Sequence, residues 1–238
     1  MKQRRRNRIH EATRQEIKET AWQQIAEQGA PALSLRQIAR AMDLSAPALY
    51  RYYPSRDDLV TALIQDAFTS FATALAAARD SRPIGDHAGR YAAMGLAYRQ
   101  WALQYPQRYA LIFGTPIPGY VYPPSEPNDA ADSAFKVLLG VLLDAARAGI
   151  LQPIAEYRDL SPTIHSGFDS FRAFIPAEIP DVVVYLSLIT LARVHGMVSL
   201  ELNKQFPPEY PLGSLYEQEL IALGNQVGLP YPAAHESP

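Results

Sequence analysis

The twenty residues Ser34 to Tyr53, SLRQIARAMDLSAPALYRYY, constrain the fold more than any other stretch. Their spacing predicts two short helices joined by a tight turn. Ser34 followed three residues later by Gln37 is a capping-box spacing, in which each side chain satisfies an orphan amide of the other. Leu35, Ile38, Ala39 and Met42 recur at helical spacing and give one apolar face. Asp43 stands at the turn, where Asp tolerates left-handed backbone, though less well than Gly. Ser45 caps the second helix and Pro47 sits in its first turn, where a missing amide hydrogen costs little. This is the pattern of a helix-turn-helix, whose second helix enters the major groove of DNA.

The flanks extend the pattern. Upstream, TRQEIKETAWQQIAEQGAPALS offers Thr13 and Glu16 as a second capping box and Gly29 as a helix stop. Downstream, in PSRDDLVTALIQDAF, Ser55 caps a helix whose positive end Asp57 and Asp58 favour. The run Thr13 to Phe68, with LYRYYPSRDDL at its centre, resembles the DNA-binding domain of the TetR family of transcriptional regulators. Three positions depart from that family's habit. Asp43 stands where Gly is usual, Gln24 and Ile25 where a Leu-Phe pair is common, and Tyr53 where Phe is usual. YRQWALQYPQRYALIFGTPIPGY (Tyr98 to Tyr120) and VHGMVSLEL (Val194 to Leu202) resemble the C-terminal region of a subgroup called the WHG type, although Leu191 stands at the place of its Trp.

A chain of 238 residues buries a sizeable core in one or two domains. It has no cysteine, so a disulfide framework and a thiolate metal site are both excluded. Apolar runs such as VVVYLSLITLA (Val182 to Ala192) fall short of the ~20 residues of a spanning helix. The N-terminus lacks the apolar core and cleavage site of a secretory signal. The expectation is a cytoplasmic, bacterial protein without a membrane partner. The net charge of −2 hides an asymmetry: residues 1–60 hold eleven Lys and Arg against seven Asp and Glu, and residues 61–238 eleven against seventeen. A basic head on an acidic body suits a protein that presents one end to phosphate.

Strand-like alternation is scarce, and an all-α fold is expected: an N-terminal three-helix domain with the helix-turn-helix, then a larger helical ligand-binding and dimerisation domain. The boundaries read as a mobile basic arm over 1–10, the DNA-binding domain over 11–56 with its motif at 34–53, the helical domain over 57–230, and a tail over 231–238. Helices are expected at about 13–28, 35–42, 46–53, 56–79, 87–104, 106–113, 128–148, 161–174, 181–203 and 212–227. Thr115 to Pro127, rich in Pro, cannot be regular helix and reads as a long surface loop.

Affinity for DNA comes largely from phosphate neutralisation, and sequence choice from base edges. Arg51 fits direct readout, because its fork matches guanine O6 and N7; its alternative is a solvated or phosphate-facing Arg. Ala46, Pro47 and Ala48 fit contact with thymine methyl groups. Ser34, Ser45, Arg36 and Arg56 lie near helix N-termini, where amides and charge attract phosphate, and Arg36 has a base edge as its alternative. The resemblance implies phosphate contacts for Tyr50 and Tyr52. Leu49 and Tyr53 read as core. Arg4, Arg5, Arg6 and Arg8 form an arm that either enters a minor groove or adds only salt-dependent affinity.

One helix-turn-helix reads a half-site, and two-fold dimers read palindromes with half-sites ~34–36 Å apart. The last two long helices are the interface candidates, with Leu188, Leu191, Val198 and Leu202 on one and Leu220 and Leu223 on the other; the alternative is that these rows build the monomer core. An effector pocket is expected among Tyr98, Trp101, Tyr105, Tyr109, Phe113, Phe135 and Leu139. His87, His165 and His195 show no metal-ligand spacing, and no metal or cofactor is expected. His195 reads as a helix-interface residue with Gly196 permitting close approach. The function expected is a ligand-responsive repressor that binds a palindromic operator as a homodimer. Two alternatives stand beside it: an all-α enzyme with an incidental helix-turn-helix, and an architectural DNA binder. No Gly-rich phosphate loop or nucleophile–base array supports the enzyme.

Overall fold

The computed structural model describes residues 1–123, 129–168 and 178–230. Among them are eleven α-helices and no strand: α1 Lys2–Gln28, α2 Leu35–Ala41, α3 Ala46–Tyr50, α4 Arg56–Asp80, α5 His87–Gln104, α6 Pro106–Phe113, α7 Asp129–Arg147, α8 Ala155–Arg158, α9 Pro162–Phe168, α10 Asp181–Leu202 and α11 Leu212–Val227. A 3-10 turn, Ala30–Ala32, follows α1. The chain forms two compact units, one of Met1–Phe68 with Tyr105–Ala130, the other of Thr69–Gln104 with the chain from Ala131 on.

The first unit is built on residues that α1 to α4 turn inward. Ile17, Ala21 and Ile25 recur on one face of α1, and Leu35, Ile38 and Ala39 on α2. Leu49, Tyr53, Leu59 and Leu63 complete a core from which water is excluded. Ile117, far along the chain, joins the same cluster. Its neighbours fasten the loop after α6 onto α4: the hydroxyls of Thr61 and Tyr120 are 2.9 Å apart, and Gln65 Nε2 donates to Tyr122 Oη at 3.4 Å. On α6, the Arg108 guanidinium lies 5.4 Å from the centre of the Trp22 ring of α1, a cation–π contact.

The second unit is held across α5, α10 and α11. A Cβ at Gly95 of α5 would meet Leu220 Cδ2 at 2.6 Å, so glycine there allows α11 its close approach. Tyr216 Oη donates to the Gly95 carbonyl at 2.6 Å. Arg99 makes a two-pronged pair with Glu201, at 2.8 and 2.6 Å. Arg193 donates to Glu219, Gln226 and Tyr157. The Tyr91 and Thr190 hydroxyls meet at 2.8 Å in the interior, and burial pushes the Tyr91 phenol well above its ordinary pKa.

Several expectations are corrected here. Residues 2–10 are helical, because the good helix formers and arginines there continue α1 without a break. Thr13 therefore lies inside α1, where its hydroxyl donates to the Ile9 carbonyl instead of capping a helix start. The compact unit does not end at residue 56: residues 57–68 and 105–123 belong with it, since Leu59, Leu63 and Ile117 share its core. Both α4 and α10 are long and apolar enough to cross a membrane by length and composition. In this fold each turns one face inward, α4 with Leu59, Leu63 and Phe71, α10 with Val183, Leu186 and Val198. The expected helix over 161–174 is seen as α9, with 169–174 outside the described residues, as are 124–128 of the loop and the tail 231–238. The single turn α8 was not expected.

Ile117→Ala is expected to destabilise the first unit by about 2–4 kcal/mol, through reduced burial and the cavity left behind. Amide exchange would show faster opening of α1 and α2 with α10 unchanged.

Candidate nucleic-acid interface

The helix-turn-helix forms from its own caps. Ser34 Oγ accepts from the Gln37 amide at 3.5 Å, and Ser45 Oγ accepts from the Ala48 amide at 3.4 Å. Ser55 Oγ accepts from the Asp58 amide at 3.1 Å and donates to its carboxylate at 2.7 Å. The turn between α2 and α3 passes through Asp43 at φ 53°, in the left-handed region, and the Leu44 amide donates to the Ala39 carbonyl at 2.8 Å. Only one half of the predicted capping box forms at α2. The Ser34 amide donates at 2.9 Å to Gln24 Oε1 of α1, and Gln24 Nε2 donates to Gln37 Oε1. Gln24 is buried, so the residue that departs from the family's habit ties α1 to the start of α2.

α3 buries Leu49 fully and leaves Pro47 and Tyr50 open. Ala46 and Ala48 are half-buried, and Ser45 and Arg51 are exposed at its two ends. Tyr52 is half-buried because its ring stacks on His10 at 4.7 Å. Tyr53 is 1% exposed, as core, beneath the Arg14 guanidinium. Burial raises the Tyr53 phenol above its ordinary pKa, with Arg14 opposing. Arg36 and Arg40 are exposed along α2. Arg36, Arg40 and Arg51 have no ion-pair partner among the described residues.

Arg56 differs from the sequence reading. Its guanidinium donates to the carbonyls of Leu33, Ala30 and Pro31 at 3.2 to 3.4 Å and pairs with Asp57. It closes the turn before α2, a structural duty that no spacing in the sequence signalled. Arg108, stacked on Trp22 and Tyr105, was missed for the same reason.

The residues read as an effector pocket fall in both units. Tyr105, Tyr109 and Phe113 belong to the first, where Phe113 stacks on Tyr109 at 5.1 Å and edge-on to Phe68 at 5.8 Å. Tyr98, Trp101, Phe135 and Leu139 belong to the second. There Phe71 stacks at 4.9 Å on both Tyr98 and Trp101, and Trp101 Nε1 donates to Ser70 Oγ at 3.1 Å. Tyr98 Oη lies 2.9 Å from His195 Nδ1, and burial pushes the His195 pKa down.

The interface residues also divide. Val198, Leu220 and Leu223 are buried inside the unit, 0–2% exposed, and are core, because the apolar row they form faces neighbouring helices of the same chain. Leu188, Leu191 and Leu202 stay partly exposed. A Cβ at Gly196 would meet nothing within 4 Å, so this glycine permits no close approach within the chain. Tyr185, Leu188, Ile189 and Ala192 of α10, with Ile164 and Phe168 of α9, line an open apolar groove of about 420 Å³.

Residues 17–63 match the family described as "Bacterial regulatory proteins, tetR family", and residues 91–223 match "Tetracyclin repressor-like, C-terminal domain". The HTH-type transcriptional regulator Rv1816 of Mycobacterium tuberculosis (strain ATCC 25618 / H37Rv) is 35% identical over 192 residues, 80% of this chain and 80% of that protein. The crystal structure of SCO4313 is 37% identical, with a TM-score of 0.75, over 91% of this chain and 97% of that one. A structure from Rhodococcus sp. RHA1 shares the fold at 20% identity, with a TM-score of 0.69 over 90% and 95% of the two chains.

Two positions test the local construction. Gln24→Leu is expected to cost about 1–3 kcal/mol, because it strands the Ser34 amide. Asp43→Ala is expected to cost about 1 kcal/mol from left-handed strain, and Asp43→Gly much less. Chemical denaturation of the three variants checks both.

Proposed function

The chain belongs to the TetR family of bacterial regulatory proteins, and we propose that it is a ligand-responsive repressor that binds a palindromic operator as a homodimer in the cytoplasm. The observation that carries the reading is α3: capped by Ser45, buried at Leu49, and open at Pro47, Tyr50 and Arg51. Arg51 has no carboxylate to satisfy it within the described chain and reads guanine. Ala46, Pro47 and Ala48 are small enough to bring the backbone close to thymine methyl groups. Tyr50, Tyr52, Arg36 and the Ser34 end of α2 take phosphates.

Dimerisation runs through α10. Tyr185, Leu188, Ile189, Ala192 and Gly196 recur at helical spacing along a face that is only partly covered. A second copy covers it and removes apolar surface from water. Val198, Leu220 and Leu223 support that face from within.

The effector is received in the second unit. Tyr98, Trp101 and Phe71 supply an aromatic wall, and the Tyr98–His195 pair supplies polar atoms that orient a ligand. Burial lowers the His195 pKa and so disfavours its charged form. A ligand shifts the DNA-binding equilibrium only by its difference in affinity between arrangements.

A gel shift with DNA flanking the chain's own gene, run with nonspecific competitor, tests the reading. Selective retention is expected; uniform retention would indicate architectural binding instead. Arg51→Ala is expected to relax base preference at one position of each half-site by about 1–3 kcal/mol. Ala192→Glu is expected to give monomers in analytical ultracentrifugation with helicity unchanged. A variant that stayed dimeric would move the interface elsewhere.

A further inference from the structure

Residues 4–12 lie on α1 but outside the core. Each is exposed, and the first fully buried residue of the helix is Ile17. At about 1.5 Å per residue, residues 2–12 make a rod of about 16 Å. The rod is anchored at its base. His10 stacks on Tyr52 at 4.7 Å, and one turn further the Arg14 guanidinium lies 4.7 Å from the centre of the Tyr53 ring. Tyr52 and Tyr53 closely follow α3 in the chain. The direction of the rod is therefore set by the same turn that ends the reading helix.

The rod is strongly basic, with Glu11 its one acidic residue. Arg4, Arg5, Arg6 and Arg8 are exposed, and none has an ion-pair partner among the described residues. Arg4 and Arg8 are one turn apart with Arg5 on the same side, and Arg6 is one turn before His10. The first turn holds no acidic residue, so the positive end of the helix adds to this field. Other arginines are engaged within the chain: Arg56 on carbonyls, Arg79 and Arg90 on Asp80, Arg99 on Glu201, Arg193 on Glu219.

We infer that this rod is a phosphate-binding element that lies across the outside of the duplex backbone. It is not an arm that threads the minor groove. The groove is about 6 Å wide, and a helix with its side chains is about 10–12 Å across. An extended strand of arginines enters such a groove; a helix does not. Guanidinium groups spread around a rod reach phosphate oxygens, which carry no sequence information. The rod therefore adds affinity and salt dependence without adding base preference. The inference rests on the reading of α3 as a DNA-reading helix and deepens it.

The test uses the full chain, the duplex flanking its own gene, and salt from about 50 to 200 mM, the range over which such slopes are read. Replacing Arg4, Arg5 and Arg8 together by Gln keeps the helix and removes three charges. Each phosphate left without its arginine lowers the slope of log K against log salt by about 0.9, so a reduction of about 2–3 is expected. The reduction is expected to be equal whether A·T or G·C pairs flank the half-sites. Asn7→Pro keeps every charge but ends the helix before residue 7, and is expected to weaken binding on the order of tenfold, with thermal unfolding of the rest unchanged. A wild type that binds selectively while the triple variant keeps its slope overturns the rod and leaves the DNA-reading assignment intact. Full affinity in Asn7→Pro identifies a flexible tail and overturns the rod. So does a weakening confined to A·T flanks, which identifies a minor-groove arm. A wild type that retains no duplex selectively overturns both readings.

Discussion

A helix of five residues does not persist alone in water, since isolated helices shorter than ~12–15 residues are marginal. α3 is such a helix, and its shape depends on Leu49 and Tyr53 being held in the core with Ile17, Ala21 and Leu63. This division of labour frees the opposite side. Pro47, Tyr50 and Arg51 carry none of the packing, so their chemistry is available for a partner. The Ser45 cap and the left-handed turn at Asp43 fix where α3 begins, and the Gln24 link to Ser34 fixes where α2 begins. The open surface of α3 is a consequence of a well-packed back.

Arginine serves two ends in this chain. On Arg56, Arg90, Arg99 and Arg193 the guanidinium is spent on carbonyls, carboxylates and amides of neighbouring elements. A partly buried cation is tolerated only when so satisfied. On Arg4, Arg5, Arg6, Arg8, Arg36, Arg40 and Arg51 it stands in solvent without an ion pair among the described residues. These seven lie in the first unit, which gives the basic excess of residues 1–60 a physical location, while Arg82 and Arg147 are the exposed counterparts in the second. Net charge alone does not separate the two groups, because a paired arginine counts the same as a free one.

The first unit is also not a continuous stretch of sequence. Ile117, Tyr120 and Tyr122 close its surface on α4, and Arg108 and Tyr109 sit with the residues that surround Trp22 and Phe68. Aromatic residues spaced for one helical face read equally well as pocket or as core. Here Tyr105, Tyr109 and Phe113 went with one unit and Tyr98 and Trp101 with the other. The break after Gln104 separates them, since Tyr105 caps and Pro106 begins a new helix whose face meets other neighbours.

The sequence by itself determined what depends on near neighbours: the Ser34 and Ser45 caps, the turn at Asp43, the apolar faces of α1 and α2, the extent of α4, and the all-helical class. These follow from hydrogen bonds and sterics that span three or four residues. Tertiary structure alone decided whatever depends on distant partners. It made Gln24 the acceptor for the Ser34 amide, gave Arg56 to the carbonyls of the preceding turn, put Val198, Leu220 and Leu223 in the interior, and extended α1 back to Lys2. A side chain at the surface of its own helix is exposed or buried according to which other helix arrives there, and no local spacing records that.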